Sequence, residues 1–135
     1  MNSLVVDASI AGAWIFRDET DAIAMTALDA LRSGATAFAP AIWWFELRNL
    51  LLVGERRKRI EPSAAEEFLD QLEKLDIRIM HSFADGSEIL ILARRHNLTF
   101  YDASYLALAL ELRAPLATLD KALIVAANRE HILFD

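Results

Sequence analysis

The chain has 135 residues, 14 Lys and Arg against 20 Asp and Glu, a formal net charge of −6, 55% hydrophobic residues and no cysteine. One domain spanning 1–135 fits that length; the missing thiols exclude disulfides and thiolate metal sites and give no support to an oxidising compartment, and the acidity argues against a broad basic surface that tracks long nucleic acid. No apolar run approaches the ~18 residues of a membrane span and "MNSLVVDASIAG" lacks a basic leader, so a soluble cytoplasmic protein with no membrane partner is expected, its excess apolar surface covered in a homodimer or by a protein partner.

"SLVV" reads as a short buried strand stopped by Asp7, and "SIAGAWIF" as a short helix behind it. From Thr20 to Arg32, Ile23, Ala24, Ala27, Leu28 and Leu31 recur at helical spacing, with Ser33-Gly34 as the stop. "TAFAP" is a second strand, ended by Pro40. Ala41 to Arg57 is a long helix, apolar nearly all round, carrying Trp43, Trp44, Phe45, Leu47 and the run Leu50 to Val53 ahead of a basic tail. "EPSAAEEFLDQLEKL" is an amphipathic helix with Pro62 in its first turn, "DIRIM" a strand, and Asp85 to Arg95 and Tyr101 to Leu112 are helices. "APLATLD" offers a short strand, Lys121 to Ala127 a helix, and "HILF" a last strand. Strands alternating with one or two helices predict an α/β sandwich with right-handed crossovers and a mostly parallel sheet of about five strands flanked by about seven helices. In such a sheet, ligands gather beyond the carboxyl ends of the strands where strand order reverses. Asp7 and Asp120 both leave strands, and share a rim if those strands are parallel neighbours.

Asp7, Asp102 and Asp120 each stand just ahead of a helical pattern, and each alone reads as a helix N-cap, a role that favours Asp over Ala by about 1 kcal/mol. Glu46 does not fit that reading. It lies inside "AIWWFELRNLLLV", sharing a helix face with Ile42, Asn49, Leu50 and Val53, so its carboxylate is expected to be desolvated and, if ionised, to be paired with Arg48 or another basic group, hydrogen-bonded or metal-bound, or else to be protonated. Four carboxylates in one cleft repel, by about 3 kcal/mol for a pair roughly 5 Å apart at an effective dielectric near 20. Such a cluster calls for a cation, and oxygen-only ligands select Mg²⁺ or Mn²⁺.

The set "LVVDAS", "FELRN", "LTFYDASYLALA" and "PLATLD" resembles the PIN-domain ribonucleases, and in size and detail the VapC-type toxins of type II toxin–antitoxin modules. The resemblance implies a PIN-like three-layer sandwich. It assigns Asp7, Glu46, Asp102 and Asp120 to the family's acidic metal-site positions, catalytic and metal-binding, with Thr118 as the usual supporting hydroxyl and Asn49 as a polar companion of Glu46. Ser9 is a further supporting hydroxyl, able to bond Asp7 or to cap the first turn. The implied reaction is Mg²⁺- or Mn²⁺-dependent hydrolysis of RNA phosphodiesters by a metal-activated water. The implied partners are RNA, a second copy of the chain and a VapB-type antitoxin, with DNA reached only through the antitoxin.

The run Glu55 to Arg59 holds the main basic cluster; Arg56, Arg57, Lys58 and Arg59 are candidate RNA contacts, or else complement a helix C-terminus. Arg17, Arg94 and Arg95 are weaker candidates. His81, His96 and His131 fit none of the motifs and read as structural or exposed, and Trp43 and Trp44 as packing residues. Two other functions remain open: a catalytically silent PIN-fold module that only binds protein, and a Mg²⁺-dependent phosphatase. A phosphatase of the haloacid-dehalogenase kind needs a second acid two residues after the first, where this chain has Ser9.

Overall fold

The computed structural model describes residues 2–16, 21–80 and 86–135. Their elements run β1 (Ser3–Val6), α1 (Ala8–Ile15), α2 (Ala22–Arg32), β2 (Thr36–Pro40), α3 (Ala41–Arg56), α4 (Pro62–Leu72), β3 (Ile77–Met80), α5 (Ser87–His96), α6 (Phe100–Leu112), β4 (Leu116–Ala117) and α7 (Lys121–Arg129). The expected helix starts at Thr20 and Asp85, and the residues Arg17 and His81, lie outside the described residues.

The sheet is parallel throughout, in the order β3-β2-β1-β4. Leu4, Val5 and Val6 have no exposed surface, as a strand covered on both faces requires, and this is why "LVV" reads as continuous rather than alternating. Steps from β1 to β2 and from β2 to β3 move one way across the sheet, and the return from β3 to β4 passes back over both. Right-handed crossovers then place α1 to α4 on one face and α5 to α7 on the other. On the second face α6 spans the sheet, touching β1, β2 and β4 and flanked by α5 and α7. Its residues Ala103 to Ala109 are all buried, which explains a helix pattern with almost no polar side.

One expected strand fails to form. "HILF" contributes only a bridge between Leu133 and Leu116, giving four strands rather than about five among the described residues. β4 is two residues long, and His131 sits at a left-handed φ of 57°, so the returning chain has a single position to pair with. No helix among the described residues is long and apolar enough to cross a membrane.

The core predicts its own weak point. Leu106, at 0% exposure on the helix that spans the sheet, cannot be truncated without leaving a cavity under several elements. Leu106→Ala is expected to cost about 2–5 kcal/mol, read as a lower urea midpoint at unchanged slope.

Candidate active site

β1 is flanked by β2 on one side and β4 on the other, so strand order reverses between β1 and β4. Val6 pairs with Ala117, which sets the next residues of the two strands, Asp7 and Thr118, side by side at the carboxyl rim. The Asp7 backbone N–H still reaches the Ala117 carbonyl at 3.2 Å. Beyond that point both strands give way to helices, α1 capped by Asp7 and α7 by Asp120.

Asp7 is 4% exposed. Its Oδ1 accepts from the Ser9 hydroxyl at 2.6 Å and the Ile10 backbone N–H at 3.2 Å, and its Oδ2 accepts from the Thr118 hydroxyl. The cap reading and the site reading therefore both hold: Asp7 caps α1 while its second oxygen faces β4. Ser9 also accepts from the Leu119 N–H at 2.9 Å, and Thr118 from the Asp120 N–H at 3.0 Å, so both hydroxyls lock the first strand exit to the fourth. A side chain so engaged supports Asp7 and is not a nucleophile. Burial pushes the Asp7 carboxyl up to about 6, its three hydrogen bonds pull the other way, and the Asp120 charge adds to the rise.

Asp120 caps α7, its Oδ2 accepting from the Leu123 N–H at 3.0 Å. Asp102 departs from the cap expectation. α6 begins at Phe100 with Thr99 as its cap, the Thr99 hydroxyl accepting from the Asp102 N–H at 3.0 Å, which puts Asp102 inside the first turn. There an acid suits the helix dipole without capping anything. Burial raises the Asp102 carboxyl, and the nearby Asp120 charge raises it further.

Glu46 is half-buried, and its partner is neither Arg48 nor another base: the Tyr105 hydroxyl donates to its Oε1 at 2.6 Å. Arg48 instead folds back over the Trp44 ring, 3.7 Å from its centre, and donates to the Trp44 carbonyl. Asn49 is exposed and makes no hydrogen bond to Glu46, so the companion role expected of it is not formed. One turn before Glu46, the buried Trp43 indole donates to the Asp7 carbonyl at 3.2 Å, fixing α3 to the end of β1. Packing alone was expected of Trp43.

Burial raises the Tyr105 phenol, and the Glu46 hydrogen bond and the charges of Glu46, Asp7 and Asp102 raise it further, so it stays a donor. The Asp120 charge raises both Asp7 and Asp102, and the charges of Glu46, Asp7 and Asp102 raise Tyr105. Among the described residues, the charges acting on Asp7, Asp102 and Tyr105 are negative. Among the described residues no three carboxylates or histidines close into a ready-made metal cage. The donor set still fits Mg²⁺ or Mn²⁺, which bind through one or two carboxylates and keep several waters. Asp7, its two oxygens held by Ser9, Ile10 and Thr118, could hold such an ion together with Asp102, Asp120 and Glu46.

The remaining candidates lie farther out. Arg56, Arg57, Lys58 and Arg59 are exposed at the end of α3, and Arg56 stands ten residues beyond Glu46, about 15 Å along the helix. Arg59 lies over the Phe16 ring at 4.1 Å. Arg95 is bound to Glu130 at 3.0 Å, and His96, with 4% of its side chain exposed, meets the same Glu130 oxygen at 2.6 Å. That makes His96 structural, while His131 is exposed.

The sequence profile of the PIN domain matches residues 4–128. Ribonuclease VapC3 of Pyrobaculum aerophilum is 33% identical over 122 residues, 89% of this chain and 91% of that protein. Among solved structures, PAE2754 from Pyrobaculum aerophilum superposes with a TM-score of 0.71 at 22% identity, covering 92% of this chain and 84% of that one. VapC20 of Mycobacterium tuberculosis, described as a sarcin–ricin loop cleaving toxin, gives 0.63 at 20% identity over 91% and 94%. A toxin–antitoxin complex from Klebsiella pneumoniae gives 0.57 at 20% identity over 84% and 82%. A profile matching residues 4–128, a parallel sheet with Asp7 at the β1/β4 reversal, and a relative named a ribonuclease that is 33% identical over 91% of its length place the chain in the PIN-domain family, among its VapC-type members.

Proposed function

We propose that the chain is a divalent-metal-dependent endoribonuclease and the toxin of a VapBC-type pair, working in the cytoplasm as a homodimer held in check by a VapB-type antitoxin. The observation that carries the nuclease reading is Asp7: a buried carboxylate held by Ser9, Ile10 and Thr118 at the strand rim, with Asp120 as the charge acting on it among the described residues. The relative named a ribonuclease supports the substrate class. A phosphodiester approaching Asp7 and Asp102 would meet, among the described residues, the negative charge that also raises both carboxyls, which a bound cation would offset. Held by Asp7, Glu46, Asp102 and Asp120, such a cation would supply positive charge to the phosphate oxygens and lower the pKa of a water bound to it. The chain itself supplies placement. Ser9, Thr118 and the α7 N-terminus keep Asp7 and Asp120 from swinging away, and Trp43 holds the wall that carries Glu46.

Exposed Phe45, Phe100 and Tyr101 line a cavity of about 430 Å³ beside the acids, with Ile42, Met80 and Ile89. Apolar surface of that kind supports a protein partner over free solvent. DNA contact, in this reading, belongs to the antitoxin.

The direct test is incubation of the purified protein with RNA in Mg²⁺ and in chelator, followed by mapping of the cleaved ends. Mg²⁺-dependent cuts that leave 5′-phosphate and 3′-hydroxyl ends are expected; intact RNA in both conditions would reject the reading. The basic tail of α3 gives a second measurement. An Arg57→Ala, Lys58→Ala pair is expected to raise KM for RNA with kcat unchanged, and to lower the salt dependence of binding by about 0.7 in log–log slope per lost phosphate contact. An unaltered slope assigns those residues to the helix terminus alone.

A further inference from the structure

Tyr105 belongs to the site by geometry, yet nothing in the reaction as derived so far uses it. It is 1% exposed in a buried stretch of α6 whose other residues are alanines, leucines and Ser104. Phenylalanine would fill the same space without burying a hydroxyl, and a buried hydroxyl is retained only where it finds a partner. The partner is Glu46 Oε1, at 2.6 Å and 59 residues away in sequence. Tyr105 sits one turn after Asp102 on α6, and Glu46 one turn after Trp43 on α3, whose indole donates to the Asp7 carbonyl. The phenol thus closes a chain of contacts through the positions of Asp7, Glu46 and Asp102.

We propose that Tyr105 is a positioning residue for Glu46: its hydroxyl holds one carboxylate oxygen so that the other, Oε2, is presented to a cation at the acid rim. The inference rests on the reading of these acids as a divalent-cation site. A glutamate on a half-exposed helix surface has three rotatable bonds and no reason of its own to point at the rim. Anchoring Oε1 removes that freedom and leaves Oε2 as a single donor, the mode that suits a small octahedral ion retaining its waters. Groups that orient a metal-binding carboxylate without touching the ion commonly change affinity by about 10–100-fold.

The test is a double-mutant cycle of Tyr105→Phe and Glu46→Gln, read by Mn²⁺ titration in a calorimeter alongside thermal melts of the metal-free proteins and steady-state cleavage. Tyr105→Phe is expected to weaken Mn²⁺ binding on the order of 10-fold, to lower kcat with KM for RNA unchanged, and to have no further effect on Mn²⁺ affinity in the Glu46→Gln background. A hydroxyl that merely tethers α6 to α3 would instead lower the melting temperature with Mn²⁺ affinity unchanged, and that result overturns the proposal. So do losses of affinity that add independently. Weakened Mn²⁺ binding in a protein that cleaves no RNA upholds the positioning role and overturns the nuclease reading, whereas a wild type that takes up no Mn²⁺ overturns both.

Discussion

Asp7→Asn is expected to lower RNA cleavage by at least about 100-fold, the scale on which a group that fixes transition-state charge is felt, while raising the melting temperature of the metal-free protein at neutral pH. The two effects share one cause. A carboxyl whose value is raised from 3.8 to about 6 by folding opposes the fold once ionised. Its contribution is intact below pH 3.8, declines as pH rises from there to about 6, and above that the ionised side chain stands at its full cost, about 3 kcal/mol. Asparagine keeps the shape and most of the bonds: its oxygen can accept from Ser9 and Ile10, and its amide can donate to Thr118, whose Oγ1 otherwise accepts from the Asp120 N–H. The gain should approach 3 kcal/mol at neutral pH, several degrees in melting temperature for a chain this size, and vanish near pH 4. Melts in chelator at both values check the sign. A destabilisation of equal size at both would mean that the lost hydrogen bonds, not the buried charge, dominate. Unchanged cleavage would remove Asp7 from the machinery, and a silent binding module would show no cleavage even before substitution.

Much of this site is written in short stretches of sequence. A run such as "LVVDAS" announces a doubly covered strand ended by a polar residue, and parallel pairing converts two such endings into one rim without any knowledge of side-chain positions. Asp7 and Asp120 were legible for that reason: they are local to strand exits, and register does the rest, whereas Thr118 was assigned only through the family resemblance and Ser9 had an equal reading as a turn hydroxyl. Tyr105 and the second role of Trp43 were not legible. Both sit in patterns that read as core, and their polar atoms find partners 59 and 36 residues away, a relation that helical spacing cannot encode. A buried Tyr in an alanine- and leucine-rich helix did carry a signal, since its hydroxyl needed an acceptor, and the unexplained carboxylate of Glu46 needed a donor. Matching one orphan to the other would have paired them. The alternative pairing with Arg48 does not form because two residues along a helix point about 200° apart, so neighbours in sequence face away from each other.

The same reasoning explains the two misplaced boundaries. Asp102 looked like a cap because a helix pattern followed it, but Thr99 lies three residues earlier with its own hydroxyl, and a Thr followed at that spacing by an acid already announces the cap. "HILF" looked like a strand because it is apolar, yet its only neighbour in the sheet is two residues long. Apolar pattern sets what is buried; partner length sets what can be a strand.

Divalent cations are expected to stabilise the wild type strongly and an Asp7→Asn, Asp102→Asn double variant much less. In the metal-free protein both carboxyls are raised by burial and by the Asp120 charge, so ionised they oppose folding, and a bound cation converts that opposition into binding. At Mn²⁺ or Mg²⁺ one hundred times above its dissociation constant, linkage contributes about 2.7 kcal/mol, on the order of 8 °C for a chain between the sizes for which such shifts are tabulated. The double variant starts higher, having lost two unfavourable charges, and gains little on addition of metal, so the two melting curves should converge or cross as Mn²⁺ is added. Raising the pH should enlarge the wild-type response as Asp7 ionises through about 6, because protons and metal compete for the same oxygens. Ca²⁺ serves as the control for nonspecific screening, since a larger ion that prefers more ligands should stabilise less than Mn²⁺ here. Equal shifts in wild type and double variant, or equal responses to every divalent ion, would move the cation away from this rim and leave the four acids as caps and surface charge.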